Sequence, residues 1–403
     1  MMSLRIAGPL LAAALVAGCA TRPLPPVVPS TPAAPAVPVP VPTPPPVPPK
    51  PATAAEAGIA PASNRTITPE AAVRALAAFR ISCPSVVRRK DVSGLTLGED
   101  WRPLCDEART LAPGAEAAQR FFSERFAWVR VGTEPAFATG YWEPEILGSR
   151  TPAPGYAVPI YRTPPDLIRC TRADGQTGRG RLDETGQCVF YWTRAEIENG
   201  ALAGRGLELA YAADPIDMFF LEIQGSGRLR LPDGSVMRIG YDNQNGREYV
   251  GIGRLLRDRG ILPPGGADMD SIKAWMRTQP DGGRSLMHEN LSKIFFKELT
   301  GPGPLGALGL PVTPRGTVAA DPAFVPLGAP VWLDVAMNDA DGLWVAQDTG
   351  GAIKGANRFD TFWGAGAEAR RIAGGMSARG DALLLLPRAS VDRLLAARAA
   401  AQP

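Results

Sequence analysis

The sequence predicts a mainly β fold with some α, and three features carry that reading. Short apolar runs, among them 137–142, 159–162, 343–347 and 382–386, end at or close to glycine or proline, the pattern of buried strands punctuated by turns. The stretch 229–241 alternates at Leu229 and Leu231, turns at Pro232-Asp233-Gly234 and returns from Val236, which reads as a β-hairpin. Helical spacing with start or stop signals is confined to a few stretches. The chain of 403 residues is long enough for two domains once its N-terminus is set aside.

Taken in order, the chain opens with Arg5 and an apolar run over 6–16, ending Ala17-Gly18-Cys19. This run is too short to span a bilayer and reads as a secretory signal. Small residues before Cys19 resemble the bacterial lipoprotein signal, in which residues 1–18 are removed and the cysteine is acylated. Ala20 after the cysteine, rather than aspartate, favours the outer membrane. From Pro23 to Pro51 the chain is almost wholly Pro, Val, Ala and Thr. That composition builds no core and prefers an extended polyproline helix. At about 3.1 Å per residue it reaches roughly 90 Å, a tether over 19–65 that holds the body away from the membrane.

Order is expected from near Thr68. Thr68 as N-cap, Pro69 at the first helical position and Glu70 in the first turn start a helix, with Val73, Leu76 and Phe79 or Arg80 on its inner face. A second helix from about Ala115 carries a stripe of Phe121, Phe122, Phe126 and Val129. A strand over 137–142 follows, stopped by Pro144, and another over 159–162. The run 218–224 reads as a strand entering the turn Gly225-Ser226-Gly227. This is no nucleophile elbow, because Gln224 stands where glycine is needed. Helices are expected at 251–259, stopped by Gly260, and at 270–277, capped by Asp270. Strands return at 316–320, 330–335, 343–347 and 382–386.

Composition excludes several classes of function. A net charge of +3 with an ordinary charged fraction asks for no nucleic acid. The single histidine, His288, lies in MHENL and not HExxH, so histidine metal sites are excluded; it reads as a polar surface or helix-end residue. Four cysteines lie in the body, none at CxxC or CxxH spacing. Of three possible pairings the sequential one, Cys83 with Cys105 and Cys170 with Cys188, closes two short loops and is the expected one. Four free thiols is the alternative, and an exported chain disfavours it. Gly364-Ala365-Gly366-Ala367-Glu368-Ala369 fits GxGxxA, but no βαβ pattern surrounds it, so no cofactor is expected.

The most chemical stretch is 348–366, DTGGAIKGANRFDTFWGAG. Asp348 sits at the end of an apolar strand where Gly350 and Gly351 break it. Asp360 lies between Phe359 and Phe362, and apolar walls raise a carboxyl pKa toward what a general acid needs near neutral pH.

Together with 316–322 (GTVAADP), 325–328 (VPLG), 139–144 (TGYWEP) and 223–228 (IQGSGR), this stretch resembles the membrane-bound lytic murein transglycosylase A family with its C-terminal three-aspartate domain. The similarity runs over roughly 68–388. The resemblance implies a double-psi β-barrel from 66–155 and 295–390, with a smaller β-domain over 156–294 inserted and a glycan groove between them. It implies a lytic transglycosylase that cuts the β-1,4 bond between N-acetylmuramic acid and N-acetylglucosamine, forming a 1,6-anhydro ring. Asp360 matches the catalytic aspartate, Asp348 is its neighbour, and Asp321 is a third, supporting acid. Tyr141, Gln224, Ser226, Arg228, Lys354 and Trp363 are candidates to line the glycan groove. The implied partners are peptidoglycan strands and, through acylated Cys19, the outer membrane at its periplasmic face, with wall-remodelling proteins open. A hydrolytic muramidase and a non-catalytic wall-binding lipoprotein are the alternatives.

Overall fold

The computed structural model describes residues 51–263, 268–301 and 303–400. The signal stretch, Cys19 and the proline-rich run up to residue 50 lie outside the described residues. No helix among the described residues is long and apolar enough to cross a membrane.

In chain order the strands are β1 (Ile59–Pro61), β2 (Phe126–Val131), β3 (Ala136–Glu143), β4 (Glu145–Ser149), β5 (Val158–Tyr161), β6 (Ile168–Thr171), β7 (Thr177–Leu182), β8 (Cys188–Phe190) and β9 (Glu208–Ala212). They continue as β10 (Ser226–Arg230), β11 (Val236–Gln244), β12 (Ile294–Glu298), β13 (Thr317–Ala320), β14 (Pro330–Val335), β15 (Gly342–Asp348), β16 (Arg358–Ala365) and β17 (Ser377–Pro387). The fold is therefore mixed and strand-rich.

Eight strands form one sheet in the order β1-β2-β17-β14-β15-β13-β16-β3, and β3 pairs with β17 as well. β3 runs parallel to β16 and antiparallel to β17. Six more make a second sheet, β12-β11-β10-β4-β9-β5, and β6-β7-β8 a third. The first sheet draws only on the two ends of the body, while the strands from β4 to β12 build the other two. Because β4 already belongs to the second sheet, the change from one sheet system to the other falls at Pro144, ahead of the expected boundary at 155.

The helix Pro69–Val86 begins as its caps dictate, with the Thr68 side chain accepting from Ala71 N. Phe79 on its inner face packs against Phe121, Phe122 and Phe126 at 5.8–6.3 Å between centroids. Val73, expected inward, is exposed. The second helix spans Ala115–Arg125 and supplies only Phe121 and Phe122. Phe126 and Val129 belong to β2, so a strand entering the same core mimics a continuing helical stripe. Order also starts before Thr68: Thr53 caps a short helix Ala54–Ala57, and β1 pairs with β2. Residues 53–61, inside the stretch 19–65 expected as linker, thus already belong to the ordered body.

The largest departure from the sequence reading is 218–224. It lies within a helix, Pro215–Gln224, capped by Asp214, whose side chain accepts from Ile216 N and Asp217 N. Gly225 ends it at φ 79°, a left-handed position that costs glycine nothing. Residues from Met218 to Glu222 are all buried; a helix buried all round shows no period and imitates a strand. The hairpin after it is as expected, β10 with β11. The later helix is Met269–Thr278, and Asp268 caps it through Ser271 N in place of Asp270.

Two disulfides close short loops, Cys83–Cys105 and Cys170–Cys188, with Cα separations of 5.6 and 5.9 Å. The first ties Pro69–Val86 to the helix Gly98–Thr110; the second joins β6 to β8 across the small sheet.

Candidate active site

Alternation along three strands assembles the site. In β15, Gln347 is fully buried, and its amide donates to Ala78 O at 3.0 Å and Ser82 Oγ at 3.1 Å in the long helix. The next side chain must emerge on the opposite face, which points the Asp348 carboxylate away from that helix. In β16, Phe359, Thr361 and Trp363 are buried, so Arg358, Asp360 and Phe362 share the other face. In β3, Thr139 and Tyr141 share that face too.

Register then aligns them. Ala319 in β13 pairs with Asp348 on one side and Asp360 on the other, and Asp360 pairs with Thr139. The aspartates are two strand spacings apart, roughly 10 Å between their Cα atoms. Beneath them Tyr141, Val312, Ala319, Ile353 and Phe362 form a small apolar floor, with Tyr141 and Phe362 rings 4.9 Å apart.

The two carboxyl groups differ in their hydrogen-bond partners. Asp348 is held by three donors: Oδ1 accepts from Ala307 N (3.0 Å) and Thr349 N (2.9 Å), and Oδ2 from the Tyr141 hydroxyl (2.9 Å). Burial nevertheless outweighs those three donors and raises its pKa. Asp360 has one protein partner among the described residues, the Thr139 hydroxyl, which donates to Oδ1 at 2.6 Å. Crowded by protein but not sealed from water, it has a pKa raised to about 6. Burial is the main cause, and the Asp348 charge adds to it. The Thr139 bond and the Arg358 charge oppose it. Burial also lifts Tyr141 well above its usual range and lowers Arg358.

Asp321 is buried and holds the intervening loop, accepting from Gly355 N at 2.9 Å and Ala323 N at 3.1 Å. Asn357 holds its far end, donating to Glu134 O at 2.6 Å. Tyr249, from the segment after β11, lies over the loop's turn: a β-carbon on Gly351 would sit 3.4 Å from Tyr249 Cβ.

The remaining expected residues are dispersed. Gln224 accepts from Trp142 N at 3.0 Å, tying the helix Pro215–Gln224 to β3. Ser226 is buried in β10, and Arg228 faces Glu145 at 3.4 Å. Lys354 is exposed and makes no ion pair among the described residues. Trp363 is a correction: it packs against Trp344 at 5.6 Å in the core, its indole N–H donating to Thr361 Oγ1 at 2.9 Å. It stands one residue from Phe362 and therefore on the strand face away from Asp360. Phe359 likewise points into the core, so only Phe362 of the two flanking rings shares the Asp360 side. Gly140 stays glycine because a β-carbon there would come within 2.9 Å of Trp363 and Ala373 atoms.

Thr139, Arg358 and Tyr249 were not among the expected site residues. Thr139 and Arg358 each sit two positions before an expected one, on the same strand face, so period-two counting finds both. Tyr249 arrives from a distant segment and leaves no such trace. A cavity of about 690 Å³ opens beyond the end of β3, lined by Trp142, Glu143, Gln224, Phe220, Lys273 and Arg370 among others. Neither aspartate is among its described lining residues.

Two carboxyl groups of raised pKa, aligned by register on one strand framework, make a candidate acid–base site. Residues 137–297 match the MltA specific insert domain and 316–386 the 3D domain. The membrane-bound lytic murein transglycosylase A of Vibrio cholerae serotype O1 is 28% identical over 327 residues, covering 72% of this chain and 83% of that protein. The crystal structure of the membrane-bound lytic murein transglycosylase from Agrobacterium tumefaciens superposes with a TM-score of 0.76 at 31% identity, covering 83% of this chain and 99% of that one. Escherichia coli MltA with bound chitohexaose gives 0.61 at 25% identity, covering 82% and 94%. The chain belongs to the membrane-bound lytic murein transglycosylase A family.

Proposed function

We propose that the protein is a lytic transglycosylase of the bacterial cell wall. It cleaves the β-1,4 bond between N-acetylmuramic acid and N-acetylglucosamine in peptidoglycan, with Asp360 acting twice. As the acid it gives its proton to the glycosidic oxygen while the C1–O bond breaks. As the carboxylate it takes the proton of the muramic C6 hydroxyl while O6 bonds to C1, closing the 1,6-anhydro ring and restoring the acid. No water is consumed. The attack is intramolecular, which removes the need to position a separate nucleophile.

The observation that carries this reading is the asymmetry of the carboxyls. Two-carboxylate hydrolysis needs a second group free to activate water or attack the sugar; Asp348 already accepts three hydrogen bonds. Its charge instead supports the raised pKa of Asp360 and the cationic character of the transition state. At pH 7 a group with pKa about 6 is roughly one-tenth protonated; at 3.8 it would be protonated in fewer than about one molecule in a thousand. The relative holding chitohexaose supports a glycan ligand.

In this reading the six strands β17-β14-β15-β13-β16-β3 are a double-psi barrel, supported by the return of β3 onto β17. The sheets built from β4 to β12 are the inserted domain, and glycan lies between the two, reaching Tyr141 and Gln224. Acylated Cys19 holds the body at the periplasmic face of the outer membrane, in keeping with relatives named membrane-bound. The test is release of muropeptides from purified sacculi. General acid–base catalysis contributes roughly 10²- to 10⁴-fold per role, so Asp360→Asn falls to near background, while Asp348→Asn, which keeps the donor, loses less. Substantial turnover by folded Asp360→Asn would remove the assignment.

A further inference from the structure

We propose that Thr139 is a positioning residue that fixes which oxygen of Asp360 handles the proton, reserving Oδ1 as an acceptor and leaving Oδ2 to give and take it. The inference rests on the assignment of Asp360 as the acid. A threonine hydroxyl has a single proton to donate. Here the Arg358 guanidinium donates to Thr139 Oγ1 at 2.9 Å. That occupies a lone pair and turns the hydroxyl proton toward Asp360 Oδ1, 2.6 Å away. The Thr139 carbonyl accepts from Thr361 Oγ1 at 3.0 Å, and the backbone pairs with Asp360 and Ser377 on its two sides. The hydroxyl is thus held by strand register and not by a mobile loop. Arg358 is itself placed by its contact with Phe359 O and by lying 4.9 Å over the Phe137 ring.

With Oδ1 committed, a neutral Asp360 carries its proton on Oδ2, the oxygen with no protein partner among the described residues. The same oxygen then serves both halves of the reaction: it loses H⁺ to the glycosidic oxygen as that bond breaks, and regains H⁺ from the C6 hydroxyl as the ring closes. The charged or titratable groups around Asp360 are Arg358 on its own strand, Asp348 at the end of β15, Tyr141 on β3 and Tyr249 from the segment after β11. Thr139 adds the one direct hydrogen bond among the described residues. Because that bond favours the carboxylate, its loss makes Asp360 a weaker acid.

The experiment measures muropeptide release from sacculi against pH for wild type, Thr139→Val, Thr139→Ala and Thr139→Ser, with circular dichroism for folding. A hydrogen bond to a charged group corresponds to a shift of about one pH unit or more. The alkaline limb of Thr139→Val and Thr139→Ala therefore moves upward by about that amount, with a loss of roughly ten-fold or more in kcat at the optimum. Thr139→Ser restores the wild-type limb. The carboxyl stretch of Asp360, followed by infrared titration without turnover, moves with the limb and serves where activity is too low to profile. An unmoved limb and unmoved titration in both Val and Ala variants, with a uniform drop in rate, would make Thr139 merely structural and overturn the proposal. In that case an inactive Asp360→Asn leaves the acid assignment intact; an active one removes that assignment instead.

Discussion

Asp360→Asn should make the protein more stable at neutral pH even as it removes activity, and the size of the gain follows from the site. Folding moves the carboxyl from 3.8 to about 6, chiefly by burial. Between those values the unfolded chain is ionised while the folded one still holds its proton, so stability falls as pH rises through that window. Below about pH 3.8 both states are protonated and the acid is nearly equivalent to an amide. Above about pH 6 the full cost of the buried charge is present, at most about 3 kcal/mol. Part of the carboxyl reaches water, so a gain of about 1–3 kcal/mol is expected for the amide, which can still accept from Thr139. For a body of roughly 350 residues the unfolding entropy is about 0.7 kcal/mol per degree, placing the rise in Tm at about 1–4 °C. Differential scanning calorimetry of wild type and Asp360→Asn at pH 7.5 and pH 4 measures it. A gain at pH 7.5 that shrinks toward zero at pH 4 is the expected result. A variant that is equally or less stable at pH 7.5, or stabilised equally at both values, would refute the claim that burial holds this acid.

Two further changes probe what positions the site. Asp321→Ala strips acceptors from Gly355 N and Ala323 N; urea denaturation should show a loss of about 1–3 kcal/mol, and limited proteolysis should nick the 349–357 loop first. Unchanged cleavage would mean the loop is held elsewhere. Glu222→Ala leaves Arg194 and Lys293, both buried, with Glu198 as their one acidic partner among the described residues. Burial disfavours the Glu198 charge, but Lys293 and Arg194 outweigh it and hold its pKa at about 2. Breaking such a network costs about 3–5 kcal/mol, read as a lower urea midpoint; an unshifted midpoint would show that water already reaches these groups.

What the sequence revealed and what it hid divide along physical lines. Thr68-Pro69-Glu70 announces its helix because capping is local chemistry. Asp348 and Asp360 are legible because glycines and apolar runs bracket them. Trp363 misled because adjacency along a strand places side chains on opposite faces, whereas Thr139 and Arg358 lie two steps from expected residues and were within reach of the same rule. The helix Pro215–Gln224 hid because burial on every side erases its period, although Asp214-Pro215 carried a start signal. Gln347 to Ala78 and Ala319 between the two aspartates are pairings of distant segments, which only the folded chain displays.

The central claim is that no water enters the reaction. Digest purified sacculi with the protein in water labelled with heavy oxygen and examine the released muropeptides by mass spectrometry. Unlabelled 1,6-anhydromuramic ends are the predicted product. Reducing ends that carry the solvent's oxygen would contradict the account and make the second carboxylate, or another base, part of a hydrolytic mechanism.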